Sequence, residues 1–407
     1  MTVPAPAPCR GADPSPSHGW GEPHADGPHR SGPHRPGPRR PDPADRKGRP
    51  PHRPLSGLCL ALSTALLLGS CAAEGPGDRG RATSEDFTGC VLGSDGGFRD
   101  RSFNQDVYES TVALRDTLGI EVRTEEPTSP REAQRLLEEM ADPAGGCDLV
   151  VAMGSPNVAQ LESAAEQHPE QDFAIVDDTS IDLPNVRTLA FDATQPGFLA
   201  GYVAASVSET GTVGAYGGRD LPEVREFLDG YAAGIEHWND VHDDDVALIG
   251  WDHRTGRGEF LGDFTDTEAA AELTRRQLDE GADVIMPVAG RAGLGTTETV
   301  AQRDDALFVW VDIDGWDVLP DEQRTHQLTS VRKDLGSAVA DVMAQSARAE
   351  LDARPYTGTL ANGGVALGEY HDQADRVGPE TVQEVRTLRQ EIIDGSRATR
   401  PAGAPAP

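Results

Sequence analysis

The sequence predicts an α/β protein made of two doubly wound parallel-sheet lobes, and three observations lead there. From Thr88 onward, short runs rich in Val, Ile and Leu alternate with longer amphipathic segments, the pattern of parallel strands covered by helices on both faces. The alternation completes one unit of about five strands and then resumes for a second unit of similar length. Beyond the first seventy residues, about 335 residues of globular sequence remain, more than one hydrophobic core usually supports.

The chain opens with a different composition. Residues 1–54 are rich in Pro, Gly, His and Arg and hold almost nothing that could build a core, so they read as a disordered extension. Its five histidines (His18, His24, His29, His34, His52) are taken as part of that solvated segment rather than as a metal-binding tract. Arg46, Lys47, Arg49 and Arg53 then precede the apolar stretch LSGLCLALSTALLLG (55–69). It is too short and too broken for a comfortable transmembrane helix and suits a signal-peptide core. It ends in Leu68, Gly69, Ser70 and Cys71, followed by Ala72 and Ala73. This resembles a bacterial lipobox, with small residues before the cysteine and a thiol available for alkylation. Segment 55–71 is therefore expected to direct export and lipid anchoring through Cys71, with 72–86 as a tether. The expected location is extracytoplasmic, at the cell membrane.

The whole chain carries a formal charge of −32, and because residues 1–70 are net basic, the part beyond this leader is more acidic still. Such a surface repels phosphate backbones and excludes nucleic acid as a partner. Of five cysteines, only Cys90 and Cys147 lie in the globular part, an even number suited to an oxidising compartment.

In the first unit the expected strands are 90–94, 121–124, 149–153, 173–177 and 186–191, with helices near 105–118, 130–141, 156–168 and 196–208. In the second, strands are expected at 212–216, 246–250, 284–288, 307–311 and 327–331. Pro130, Pro156, Pro196 and Pro222 sit near helix starts, where a missing N–H is harmless. Ser155 is a candidate N-cap and Gly119 a helix-ending residue. No internal repeat is sharp enough to read. In a sheet of order 2-1-3-4-5 the first and third strands are neighbours. Cys90 and Cys147, at or just before the starts of those strands, are therefore expected to form a disulfide.

Ligands of open α/β sheets bind beyond the carboxyl ends of the strands. After the first strand runs D-G-G-F-R-D-R-S-F-N-Q (95–105). Its glycine pair permits a tight turn, while Phe103 beside Asn104 offers a stacking face and an amide, suited to a flat heteroaromatic ring. From composition alone Phe103 serves equally as a core plug. Gly290, Gly293 and Gly295 follow a strand as a dinucleotide loop would, but with the wrong spacing for that motif.

The run 95–105 resembles the signature of the basic membrane protein (BMP) family of nucleoside-binding lipoproteins. The resemblance continues through F-A-I-V-D (173–177), G-F-L-A-G-Y-V-A-A (197–205), T-V-G-A-Y-G-G (212–218) and G-A-D-V-I-M-P-V-A-G-R-A-G-L-G (281–295). It closes with V-D-I-D (311–314) and L-T-S-V-R-K (328–333). It implies the type I periplasmic-binding-protein fold, two lobes hinged about a cleft. It also implies roles. Phe103 and Phe264 would be opposing aromatic faces on the base, and Asn104 a polar neighbour. Asp95 and Asp177 would supply a carboxylate to base N–H groups, Asp312 and Lys333 would take the ribose, and Gly290 to Gly293 would line the cleft with backbone. Two departures stay open. The link GWDHRTGRGEFLGDF (250–264) is longer than the family's usual one, so Trp251 or Phe260 could supply the second ring. Asp178 follows Asp177, so either could reach the ligand. The plainer roles are helix capping for Asp95 and Asp312 and a surface or hinge position for Lys333. Trp310 and Trp316 read as packing or cleft-wall residues.

The function expected is ligand capture for an ABC importer, with a nucleoside (a purine in preference) as ligand, ABC permease subunits as partners, and no cofactor, metal or catalytic residue. The same fold could serve a ligand-sensing lipoprotein without a transporter. A nucleoside hydrolase or phosphorylase finds no support in a metal-spaced Asp cluster, a G-x-S-x-G elbow or a Cys–His pairing. Expected boundaries are 87–193 and 334–355 for the first lobe, 194–333 and 356–398 for the second, and a disordered tail at 399–407, giving a hinge of three chain crossings.

Overall fold

The computed structural model describes residues 87–401. The extension 1–54, the segment 55–71 with Cys71 and the tether 72–86 lie outside the described residues. Both lobes fall within one unit, Ala73–Pro407.

The first lobe begins with β1 (Thr88–Leu92), α1 (Phe103–Val112), α2 (Leu114–Leu118), β2 (Glu121–Glu125), α3 (Pro130–Ala141), β3 (Leu149–Met153), α4 (Val158–Gln167), β4 (Asp172–Val176) and β5 (Val186–Phe191). The second holds α5 (Thr194–Val207), β6 (Thr212–Gly217), α6 (Pro222–His242), β7 (Ala247–Ile249), a small hairpin β8 (Trp251–Asp252) and β9 (Arg257–Gly258), and α7 (Thr267–Asp279). It continues through β10 (Val284–Val288), α8 (Leu294–Val300), β11 (Leu307–Asp312), α9 (Gly315–Val318), α10 (Asp321–Arg324) and β12 (Gln327–Lys333). The chain then returns with α11 (Leu335–Ala347) and β13 (Tyr356–Gly358), and crosses once more into β14 (Val365–Leu367) and α12 (Ala374–Ile393).

The two sheets have orders β13-β5-β4-β3-β1-β2 and β14-β12-β11-β10-β6-β7. Within these two sheets all pairs are parallel except β12 with β14. The five-strand order 2-1-3-4-5 thus appears twice, and each sheet gains an edge strand from the segment after β12. One boundary moves. Tyr356–Gly358 pairs with β5, so the third crossing follows β13 rather than residue 355.

The shared order exposes a repeat. The fourth strands read F-A-I-V and F-V-W-V, each followed by an aspartate, Asp177 and Asp312. Both aspartates have left-handed backbone, φ 64° and 69°, a strained conformation that favours a carboxylate at a strand end over a branched side chain.

Local chemistry explains the elements. In α3, Ser129 accepts from the Glu132 N–H, Pro130 opens the helix, and Ala133, Leu136, Leu137, Met140 and Ala141 form one buried stripe. Gly119 ends α2 at φ 71°. Ser155 makes no cap; its hydroxyl donates instead to Glu223 of the other lobe. Helices α5 and α6 meet along Gly197 and Gly201 on one and Gly230 and Gly234 on the other. A Cβ on Gly201 would lie 2.0 Å from the Tyr231 carbonyl oxygen. Cys90 and Cys147, on β1 and just before β3, are joined as a disulfide with Cα atoms 5.8 Å apart.

Candidate functional site

The carboxyl ends of both sheets face one cleft with about 560 Å³ of atom-free space, its mouth included. Asp95, Phe103, Asn104, Asp177, Phe264, Gly290, Asp312 and Lys333 all line it.

On the first lobe's wall, Asp100 organises the loop after β1. Its carboxylate accepts from the backbone N–H groups of Ser102, Asn104 and Gln105 at 3.0, 2.9 and 3.1 Å, which caps α1 and sets Phe103 at its first position. Burial raises the Asp100 carboxyl despite these bonds. Asn104 is equally committed. Its Oδ1 accepts from the Ser94 N–H at 2.8 Å, and its Nδ2 donates to the Asp95 carbonyl and to Asp100. Asn104 therefore pins the loop and has no spare N–H for a ligand. Phe103 packs beside Gly154, where φ is 73°.

On the second wall, Phe264 lies against Gly218 and Gly290, and its carbonyl accepts from the Ala292 N–H at 2.9 Å. Gly290 alone of Gly290–Gly293 reaches the cleft; Gly293 packs on Trp310. Trp251 and Phe260 meet edge to face with centroids 6.1 Å apart. Phe260 packs on Gly217 and the Trp251 indole donates to Asp229, so neither lines the cleft. Of these three rings, Phe264 alone lines the cleft.

At the polar end, Lys333 Nζ lies 2.5 Å from Asp177 Oδ2 with both side chains buried, and 4.6 Å from the Phe227 ring centroid. Burial opposes the lysine's charge, yet Asp177, Asp312 and Glu226 together hold the ammonium above its ordinary value. Burial pushes Asp312 up to about 6, against the downward pull of Lys333 and of a hydrogen bond from Ser102. Asp177 faces the cleft, whereas Asp178 turns out to bond Ser180. Neither a surface position for Lys333 nor helix capping for Asp312 describes what these residues do.

Several contacts bridge the lobes directly. Besides Ser102 with Asp312 and Ser155 with Glu223, the Trp310 indole donates to the Arg101 carbonyl at 3.0 Å. Asp95 meets Arg219 at 2.6 Å as an ion pair without hydrogen-bond alignment, and Arg219 also lies 5.9 Å from the Phe264 ring centroid. Glu223 and Phe227, one turn apart on α6, were not foreseen as cleft residues. The signal was present: Pro222 starts a helix just past the end of β6, so positions 223 and 227 share the face that looks into the cleft. Among the described residues, no group of three or more His, Cys, Asp or Glu is arranged to hold a metal ion.

The chain is 26% identical to a CD4+ T-cell-stimulating antigen of Listeria monocytogenes over 83% of this chain and 95% of that protein. It is 28% identical to basic membrane protein A of Borreliella burgdorferi over 69% and 77%. Its fold is that of an ABC transporter solute-binding protein from Aeropyrum pernix (TM-score 0.69, 22% identity, 78% of this chain and 94% of that one). A solute-binding protein from Conexibacter woesei aligns at TM-score 0.60 with 23% identity, over 77% and 98%. Residues 88–397 match the Bmp family model, described as ABC transporter substrate-binding protein PnrA-like. That match spans nearly all the described residues and places this chain in the Bmp family of ABC transporter substrate-binding proteins, a family of binding proteins rather than enzymes.

Proposed function

We propose that the cleft captures a nucleoside, a purine nucleoside in preference, and that the closed protein delivers it to ABC permease subunits. The observation that carries this reading is the pairing of Phe103 and Phe264 on the two walls of one cavity. Two rings on separate lobes form a slot for a flat heterocycle, and closure is what completes it. The other end suits a sugar. Asp177, which the resemblance assigned to the base, pairs with Lys333 and so joins Asp312 here as an acceptor from hydroxyls, and Lys333 has donors beyond the one given to Asp177. Asp95, Asp100, Asp177, Glu223 and Asp312 line the cavity, and Lys333 is the only basic residue lining it among the described residues, which disfavours phosphorylated nucleosides. Tethering through a lipid on Cys71 would keep the protein at the outer face of the membrane, beside the permease. Cys71→Ser should then release it from membranes on fractionation.

The test is calorimetric titration of the chain, unfolded and refolded to remove carried-over ligand, with adenosine, guanosine, inosine, cytidine, uridine and ribose. Sub-micromolar binding of one nucleoside is expected, weakened about tenfold or more by Phe103→Ala. Well-folded protein that binds none of the six overturns the reading.

A further inference from the structure

The family match ends at residue 397, but Thr399, Arg400 and Pro401 beyond it are packed. Thr399 and Arg400, placed by sequence in a disordered tail, both reach the hinge. Thr399 Oγ1 lies 2.6 Å from Thr194 Oγ1 at the start of α5, and the Thr194 hydroxyl donates to Asp192, where the chain leaves the first lobe. Pro401 is buried. Arg400 extends to α6, with Nη2 2.6 Å from Glu226 Oε1 and Nη1 3.7 Å from Asp229 Oδ2.

Glu226 follows Glu223, a cleft residue, by three positions on α6, so it stands just behind the site. Two cations act on it, Lys333 from the end of β12 and Arg400 from the C-terminal segment, and two carboxylates oppose it, Asp192 after β5 and Asp177 after β4. On its own helix, Asp229 is neighboured by Arg400, His253 and Arg225. Lys333 is in turn drawn toward Asp177, Asp312 and Glu226. The lysine thus pairs directly with Asp177 and feels the charges of Asp312 and Glu226, while Arg400 is the cation in contact with Glu226, the carboxylate outside the cleft.

We propose that Arg400 is a positioning residue of the ligand site: by holding Glu226, it leaves Lys333 to Asp177, Asp312 and the bound ligand. Its ligand half rests on the nucleoside reading above. Without Arg400, Glu226 has two outcomes. Below its titration it takes a proton and leaves Lys333 alone; above it, the unpaired carboxylate competes for the ammonium. Burial already holds the Glu226 carboxyl at about 7 with both cations present, and loss of one cation moves it higher still.

The experiment compares the chain with its Arg400→Gln, Arg400→Lys, Glu226→Gln and Glu226→Gln/Arg400→Gln variants at pH 6 and pH 8.5. Two readouts are taken: affinity for the tightest of the six test compounds, and the urea midpoint without ligand. Arg400→Gln should match the parent at pH 6. At pH 8.5 it should bind about fivefold more weakly, the scale of a partly exposed ion pair, and have a lower midpoint. Arg400→Lys should stay near the parent, and the double variant should return to the behaviour of Glu226→Gln. Equal loss at both pH values without rescue by Glu226→Gln, or no loss at pH 8.5, overturns the proposal. If the parent binds none of the six, the nucleoside reading fails on its own, and the ligand-free midpoints still decide whether Arg400 holds Glu226.

Discussion

Replacing Lys333 by methionine tests the electrostatics at the centre of the cleft. The side chain is 1% exposed and that of Asp177 is 6% exposed, with 2.5 Å between Nζ and Oδ2. The substitution keeps most of the volume and removes the charge, leaving Asp177 and Asp312 as buried carboxylates without their cation. Breaking a buried pair on one side typically costs about 3–5 kcal/mol, and the water-accessible cleft argues for the lower end. The pH dependence is the sharper signature. Asp312 already sits at about 6, above the ordinary aspartate value of 3.8, because burial outweighs the pull of Lys333. A carboxyl raised in the folded state contributes stability that is fully present below its unfolded pKa and is lost as pH rises through the folded value. In the parent that window ends near pH 6. Without Lys333 it extends upward, so Lys333→Met should lose about 3 kcal/mol at pH 8 and clearly less at pH 5. Urea denaturation at the two pH values measures both, and Asp177→Asn in the same chain should recover part of the loss. A pH-independent loss, or one under about 1 kcal/mol at pH 8, would refute the reasoning.

Three further outcomes follow from the geometry. Phe264→Ala should weaken nucleoside binding about tenfold or more by calorimetry, whereas Phe260→Ala, behind the wall, should act on stability and leave the contact surface intact. Gly201→Ala puts a Cβ 2.0 Å from the Tyr231 carbonyl oxygen, so forcing α5 from α6 should lower stability by about 1–3 kcal/mol or more in urea; an unchanged midpoint would show that the seam can open freely. The Cys90–Cys147 bond closes a separation of 57 residues, worth about 4 kcal/mol in the chain-entropy model. Fewer than two newly alkylated thiols after reduction of the folded protein would contradict the bond.

Much of this molecule was legible in one dimension. The Val/Ile/Leu runs located the central strands, and β3 and β10 lie at the predicted residues, because a strand buried on both faces must be apolar throughout. The parallel order followed from the alternation of strands with helices, and with it the adjacency of Cys90 and Cys147. Residues at strand ends were the natural site candidates, and all eight converge on one cleft. The edge strands β13 and β14 were not legible, since three-residue strands on a sheet margin carry no hydrophobic signature. Nor was the repeat. Its two copies share a sheet order and a left-handed aspartate at 177 and 312, constraints on backbone that leave few identical side chains.

What sequence alone determined was composition-driven: which segments can be buried, which turn, and which side chains are chemically equipped for a flat ligand. What only tertiary structure decided was partnership. Phe264 rather than Trp251 or Phe260, Asp177 rather than Asp178, Asn104 spent on its own loop, Ser155 bound to Glu223 and Arg400 bound to Glu226 are all choices among chemically equivalent candidates. Each was settled by contacts between residues from about 10 to more than 150 positions apart in the chain. A local sequence pattern cannot encode such choices, because hydrogen bonds and ion pairs fall off within a few ångströms and depend on where folding brings the partner.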